Sequence, residues 1–136
     1  MATIIRVEDI EGWKKARELA QAVYQTVAST ALVRDFGLRD QMPRAAVSIM
    51  ANSAEGFGRG GNREFVLVLG RARGSCAELK SHCYVALDAG MLTGETFDRL
   101  SRLAGEAEGL VSGLMKYLQR SPARGRKFKD TDNREP

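Results

Sequence analysis

The sequence predicts an all-α chain: an up-down-up-down antiparallel four-helix bundle that assembles as a homo-oligomer. Three observations carry this. Four segments show apolar residues at helical spacing and none shows the alternation of a half-buried strand. The connections between them are short, which favours antiparallel neighbours. The second segment is apolar or small on every side, so one bundle does not provide enough cover for it.

The first helix is expected over about Asp9–Ser29, with Trp13, Ala16, Ala20, Val23 and Val27 on one stripe. Asp9 suits its N-cap and Glu11 its first turn. The second is expected over about Leu38–Glu55, with Gly56 as the residue that ends it. Pro43 has no amide hydrogen and breaks or kinks a helix unless the helix begins nearby. It therefore moves the start to Gln41 or Met42, with a separate turn at Leu38. Between Pro43 and Ala54 the only charge is Arg44, and Ala45, Ala46, Ser48, Ala51, Ser53 and Ala54 allow close backbone approach. The alternative is a monomer with a small-residue inner helix.

The third helix is expected from Gly61 or Asn62 to Asp88 or Ala89, closing at Gly90, with Phe65, Leu69, Ala72, Cys76, Leu79, Cys83 and Ala86 as its stripe. The fourth takes Thr93 as N-cap and runs to about Gln119, on the stripe Phe97, Leu100, Ala104, Ala107, Val111, Leu114 and Leu118. Residues 1–119 thus form the bundle, and 120–136, polar and interrupted by Pro122, are expected to be a disordered basic tail.

Composition narrows the function. At 136 residues, 43% hydrophobic and 28% charged, the chain holds one globular core. No apolar run is long enough to span a bilayer, and the N-terminus has no signal-peptide pattern, so the expected compartment is the cytoplasm. The net charge of +4 is unevenly spread: residues 34–81 carry eight bases and five acids, and residues 120–136 carry six bases and three acids. That pattern is compatible with a nucleic-acid partner.

Cys76 and Cys83, seven residues apart on one stripe, lie about 10.5 Å apart along the axis and read as core residues. With one histidine in the chain, neither a di-metal bundle site nor a catalytic triad can be assembled, so no cofactor and no enzymatic activity are expected.

Two polar lines stand out within the apolar surface. Helix two carries Arg44, Ser48, Asn52 and Glu55, and helix three carries Arg71, Ser75, Glu78 and His82. In an antiparallel hairpin Ser48 faces Ser75, Arg44 comes near Glu78, and Arg71 comes near Asn52 or Glu55. The two readings are a binding cluster and a hydrogen-bonded clasp that fixes helix register. The loop GFGRGGNR offers glycine amides, Arg59, Arg63 and a helix N-terminus, read either as a seat for a phosphate or as a cap and turn.

The stretch FGLRDQMPRAAVSIMANSAEGFGRGGNREF, then GSCAEL and DAGML, resembles the four-helix-bundle family of 23S rRNA intervening-sequence proteins. The shared pattern falls on Gly37, Leu38, Gln41, Arg44, Ala45, Ser48, Asn52, Glu55, Gly56, Glu64, Phe65, Gly74, Ser75, Glu78 and Leu79, and the Trp13-Lys14-Lys15-Ala16 opening also fits. Gly61 stands where a serine cap is usual, and Pro43 departs from the pattern. The resemblance covers about residues 8–119 and leaves the tail outside.

It implies a homopentameric barrel and kinship with the accessory variability determinant proteins of diversity-generating retroelements. Those are basic pentamers that bind nucleic acid and associate with a reverse transcriptase. The function expected is a non-enzymatic oligomeric scaffold binding RNA or DNA, with a reverse transcriptase as a further partner. The alternative is a protein-interaction module of the same family without nucleic-acid binding. The candidate nucleic-acid contacts are Arg59, Arg63, Arg73 and Lys80 on the bundle and Arg124, Arg126 and Lys127 in the tail. Arg73 and Lys80, seven apart, share a helical face that can follow a phosphate strand.

Overall fold

The computed structural model describes residues 3–125. Four long helices account for most of them: α1 (Glu11–Ser29), α2 (Phe36–Gly58), α3 (Asn62–Asp88) and α4 (Gly94–Arg120). Short 3₁₀ turns at Val7–Asp9 and Ala31–Arg34 precede α1 and α2. The described residues contain no strand. Both α1 and α3 pack against α2 and α4, and the most extensive contact is between α2 and α3. The stripes of α3 and α4 are buried from end to end, apart from the partly buried Phe97. Leu19, Leu32, Met42, Ile49, Leu69, Leu79, Leu100 and Leu103 fill the centre.

The helix ends are made by local chemistry. Thr93 caps α4, its Oγ1 accepting from the Thr96 amide at 3.1 Å. Gly90, with φ +76°, reverses the chain after α3, and the Met91 amide reaches back to the Ala86 carbonyl. Asp9 does not cap α1. Its carboxylate accepts from the Ile5 and Arg6 amides at 3.0 and 3.1 Å, closing the preceding turn. Those two amides hold the Asp9 carboxyl below its ordinary pKa. Helix α1 opens at Ile10 with no side-chain cap.

Helix α2 begins earlier than Pro43 suggests. Asp35 Oδ1 accepts from the Leu38 amide at 2.9 Å and starts the helix at Phe36. Arg39 braces this first turn, its guanidinium 4.3 Å above the Phe36 ring and donating to the Val33 carbonyl at 2.9 Å. Pro43 sits inside the helix, where its missing amide deprives the Arg39 carbonyl of its partner. The ring is buried, so the helix passes through it in the core.

Gly56 does not end α2; Gly58 does, and Gly60, with φ +81°, makes the reversal. Gly56 is buried because Phe65 occupies its side-chain position: a Cβ there would lie 2.8 Å from Phe65 Cδ1. The outer face of α2 remains open within one chain, with Val47 and Ala51 exposed and Met50 and Ala54 half-buried.

Between α1 and α4, Lys15 Nζ donates to Glu106 Oε2 at 3.0 Å and also meets Glu18. Cys76 and Cys83 are free and buried, and burial pushes both thiols up to about 11. No helix among the described residues is long and apolar enough to cross a membrane. The segment after α4 is tethered at its root. The Asn62 amide donates to the Arg124 carbonyl at 2.8 Å, and Asn62 Nδ2 donates to the Ala123 carbonyl at 2.9 Å.

Two glycines separate packing from propensity. Alanine is the better helix former by about 1 kcal/mol. At Gly109, exposed in α4 with nothing within 4 Å of a built Cβ, Gly109→Ala should stabilise by roughly that amount. At Gly56 the same change drives Cβ into Phe65 and should destabilise by about 1–3 kcal/mol. Denaturant unfolding of the two variants checks the opposite signs.

Candidate functional site

The loop between α2 and α3 brings three of the candidate arginines to one end of the molecule. Arg59 is the C-cap of α2, Arg63 is the second residue of α3, and the carbonyl of Arg124 binds the first. They surround Gly60–Asn62. Arg59 is committed to carboxylates: Nη2 donates to Glu55 Oε1 at 2.7 Å, and Nη1 lies 4.0 Å from Glu64 Oε2. The Arg59 hydrogen bond, aided by the charges of Arg59 and Arg71, holds the Glu55 carboxyl below its ordinary value. Arg63 is exposed and forms no ion pair among the described residues. Beside it a cleft is lined by Asn62, Arg63, Leu67, Leu118, Gln119 and Arg124.

Arg73 and Lys80 do not make a cationic row. Arg73 is exposed, but Lys80 turns into the seam with α4, where Nζ donates to Glu108 Oε2 at 3.0 Å. A carboxylate one helix away neutralises it, and spacing along α3 alone does not register that neighbour. Arg126 and Lys127 lie outside the described residues.

The polar lines on α2 and α3 meet at their middle. Ser75 Oγ donates to Ser48 Oγ at 2.8 Å, and Asn52 Nδ2 donates to the Ser48 carbonyl and hydroxyl at 2.9 and 3.0 Å. At one charged end of the expected clasp Arg71 does come near Glu55, its charge helping to lower that carboxyl, but the Arg44–Glu78 end does not join. Arg44 pairs with Asp40 at 3.3 Å and Glu78 with His82 at 3.4 Å, each one turn away on its own helix. Both side chains are more than half exposed, so a partner on the same helix costs less ordering than one across the groove.

The arrangement therefore offers two features. One is a small hydroxyl–amide lock between α2 and α3. The other is a bundle end carrying Arg63 in the open and Arg59 held between acids. Sequence reasoning passed over Asn62, which binds two successive carbonyls; the cue was a polar residue directly after the uncapped Gly61. It also passed over Lys15, Glu106 and Glu108, whose partners come from other helices. A polar cleft between the end of α1 and the start of α4, lined by Thr26, Thr30, Glu95, Asp98 and Arg99, had no sequence signal.

Comparison with known proteins places these features in context. The model of the 23S rRNA-intervening sequence protein family matches residues 8–113. A crystal structure of a protein of unknown function from the S23 ribosomal protein family of Bacteroides thetaiotaomicron VPI-5482 is similar, with a TM-score of 0.70 and 19% identity. The match covers 77% of this chain and 98% of that one. At that identity the likeness is one of fold. No curated protein matches.

The ion pairs rank two carboxylates. Glu106 bridges Lys15 and Arg102 across two helices, whereas among the described residues Glu78 meets His82, an ion pair only when that imidazole is protonated. Glu106→Ala should therefore destabilise more than Glu78→Ala, with Ser75→Ala costing about 1 kcal/mol through the lost hydroxyl bond. The Lys15 hydrogen bond depresses the Glu106 carboxyl. A depressed carboxylate stabilises the fold above its unfolded pKa and loses that contribution as pH falls through the folded value. Glu106→Gln should thus lower Tm at pH 7 and narrow its gap to the parent below pH 4, as read by thermal melts.

Proposed function

This chain belongs to the 23S rRNA-intervening sequence protein family, and from that premise we propose a non-enzymatic, cytoplasmic, oligomeric scaffold that binds RNA or DNA through basic surfaces. The observation that carries the reading is the exposed Arg63 beside Gly60–Asn62, with Arg124 docked by its carbonyl on the same turn and Arg59 held next to it by Glu55 and Glu64. Exposed arginine beside glycine-rich backbone suits a phosphate backbone, which is bound through charge and without base readout.

In this reading the helices run up-down-up-down. In support, contacts between α2 and α3 pair rising numbers with falling ones: Ser48 meets Ser75 and Phe57 meets Phe65. The scaffold is a homo-oligomer, five-fold by the family resemblance, with the open apolar face of α2 at its interface. A reverse transcriptase of a diversity-generating retroelement is the protein partner that the resemblance suggests.

A second reading, a protein-interaction module without nucleic-acid binding, is favoured by the apolar side chains left outside the bundle. Phe36 is 74% exposed, Tyr24 57% and Val47 41%. Affinity for single- and double-stranded RNA and DNA, measured across salt concentrations, separates the two. The scaffold reading expects log Kd to rise linearly with log salt, and the double variant Arg63→Ala, Arg124→Ala to flatten the slope by about two. Binding that ignores salt, or none at low salt, favours the interaction module. Sedimentation should give a particle several times the 14.9 kDa of the chain; a stable monomer at micromolar concentration overturns the assembly.

A further inference from the structure

We propose that Ser121–Gly125 is a strap that secures the start of α3 from a distance. The inference stands on backbone geometry and is independent of the nucleic-acid reading. The first amides of any helix have no intrahelical acceptor and need one from elsewhere. At α3 the N-cap is Gly61, which has no side chain to accept a hydrogen bond. The strap serves another of these open donors, the first amide of the helix. The Arg124 carbonyl accepts from the Asn62 amide at 2.8 Å, and the neighbouring Ala123 carbonyl accepts from Asn62 Nδ2 at 2.9 Å. One residue thereby holds two successive peptide oxygens.

The route to this contact is built. The Ser121 amide closes the last turn of α4 on the Tyr117 carbonyl, and Pro122 prevents a further turn. Ser121 Oγ accepts from the Ala123 amide at 3.3 Å and shapes the bend. At the far end Gly125 adopts φ +125°, a conformation that side-chain-bearing residues avoid. A Cβ there would lie 2.6 Å from the Asn62 nitrogen and 2.8 Å from both the Gly60 oxygen and the Gly61 Cα. Backbone meets backbone, and only glycine allows it. The strap lies beyond residues 8–113, outside the family match.

Residue-resolved hydrogen exchange on the full-length protein tests this, because Asn62, the first residue of α3, has no acceptor within its own helix. With the strap docked, the Asn62 amide should exchange at least tenfold slower than its intrinsic rate. Gly125→Val, barred by both φ and space, should abolish that protection while the core Leu69 amide keeps its own. Gly125→Ala repeats the test with a smaller side chain should the valine variant fail to fold. An Asn62 amide that is unprotected in the parent, or equally protected in a folded Gly125 variant, overturns the proposal.

Discussion

The close approach of α2 and α3 governs much of what surrounds it. Gly56 lies under the Phe65 ring with no room for a methyl group, and Ser48 and Ser75 share a hydroxyl hydrogen bond further along the same seam. Both contacts require small side chains at the interface. The same smallness makes α2 look apolar on every side in sequence. Because the helices come so close, the chain turns between them within Arg59–Gly61, and Arg59 lies within reach of Glu55 behind it and Glu64 ahead. The tight turn also leaves the start of α3 open to the segment that follows α4.

Charge in this molecule is organised locally. The net +4 suggests free cations, yet Lys15, Arg44, Arg59, Lys80 and Arg102 each meet a carboxylate. Such partly exposed pairs add little stability singly and are weakened by salt. They do decide which basic residues remain open to a polyanion. Arg63 and Arg73 keep that freedom among the described residues, whereas Lys80 gives it up to Glu108.

How much of this was legible in the sequence depended on distance along the chain. The stripes of α3 and α4, the Thr93 cap and the Gly90 reversal are set by residues within a turn or two of each other, and periodicity exposes them. The Ser48–Ser75 contact was also readable, since a constant rise per residue fixes which positions face each other. The Arg44–Glu78 end of that line was not. Register places a Cα, but a long side chain chooses its own partner, and Asp40 and His82 were nearer. Pro43 alone misplaces the start of α2, which is set by the Asp35 cap eight residues earlier. Lys80–Glu108, Lys15–Glu106 and Asn62–Arg124 join positions far apart in sequence, for which one sequence carries no local signal.

Cys76 and Cys83 face the interior of α3 with their thiols pushed up to about 11, so almost none of the reactive thiolate exists at neutral pH. Two silent sulfurs buried in the core make the protein its own opening gauge. A thiol reagent in solution meets them only when the helices separate, so the labelling rate follows the open population, or the opening rate itself when the reagent reacts faster than the bundle recloses. The chain carries that clock without an added probe, and no surface cysteine among the described residues blurs the reading.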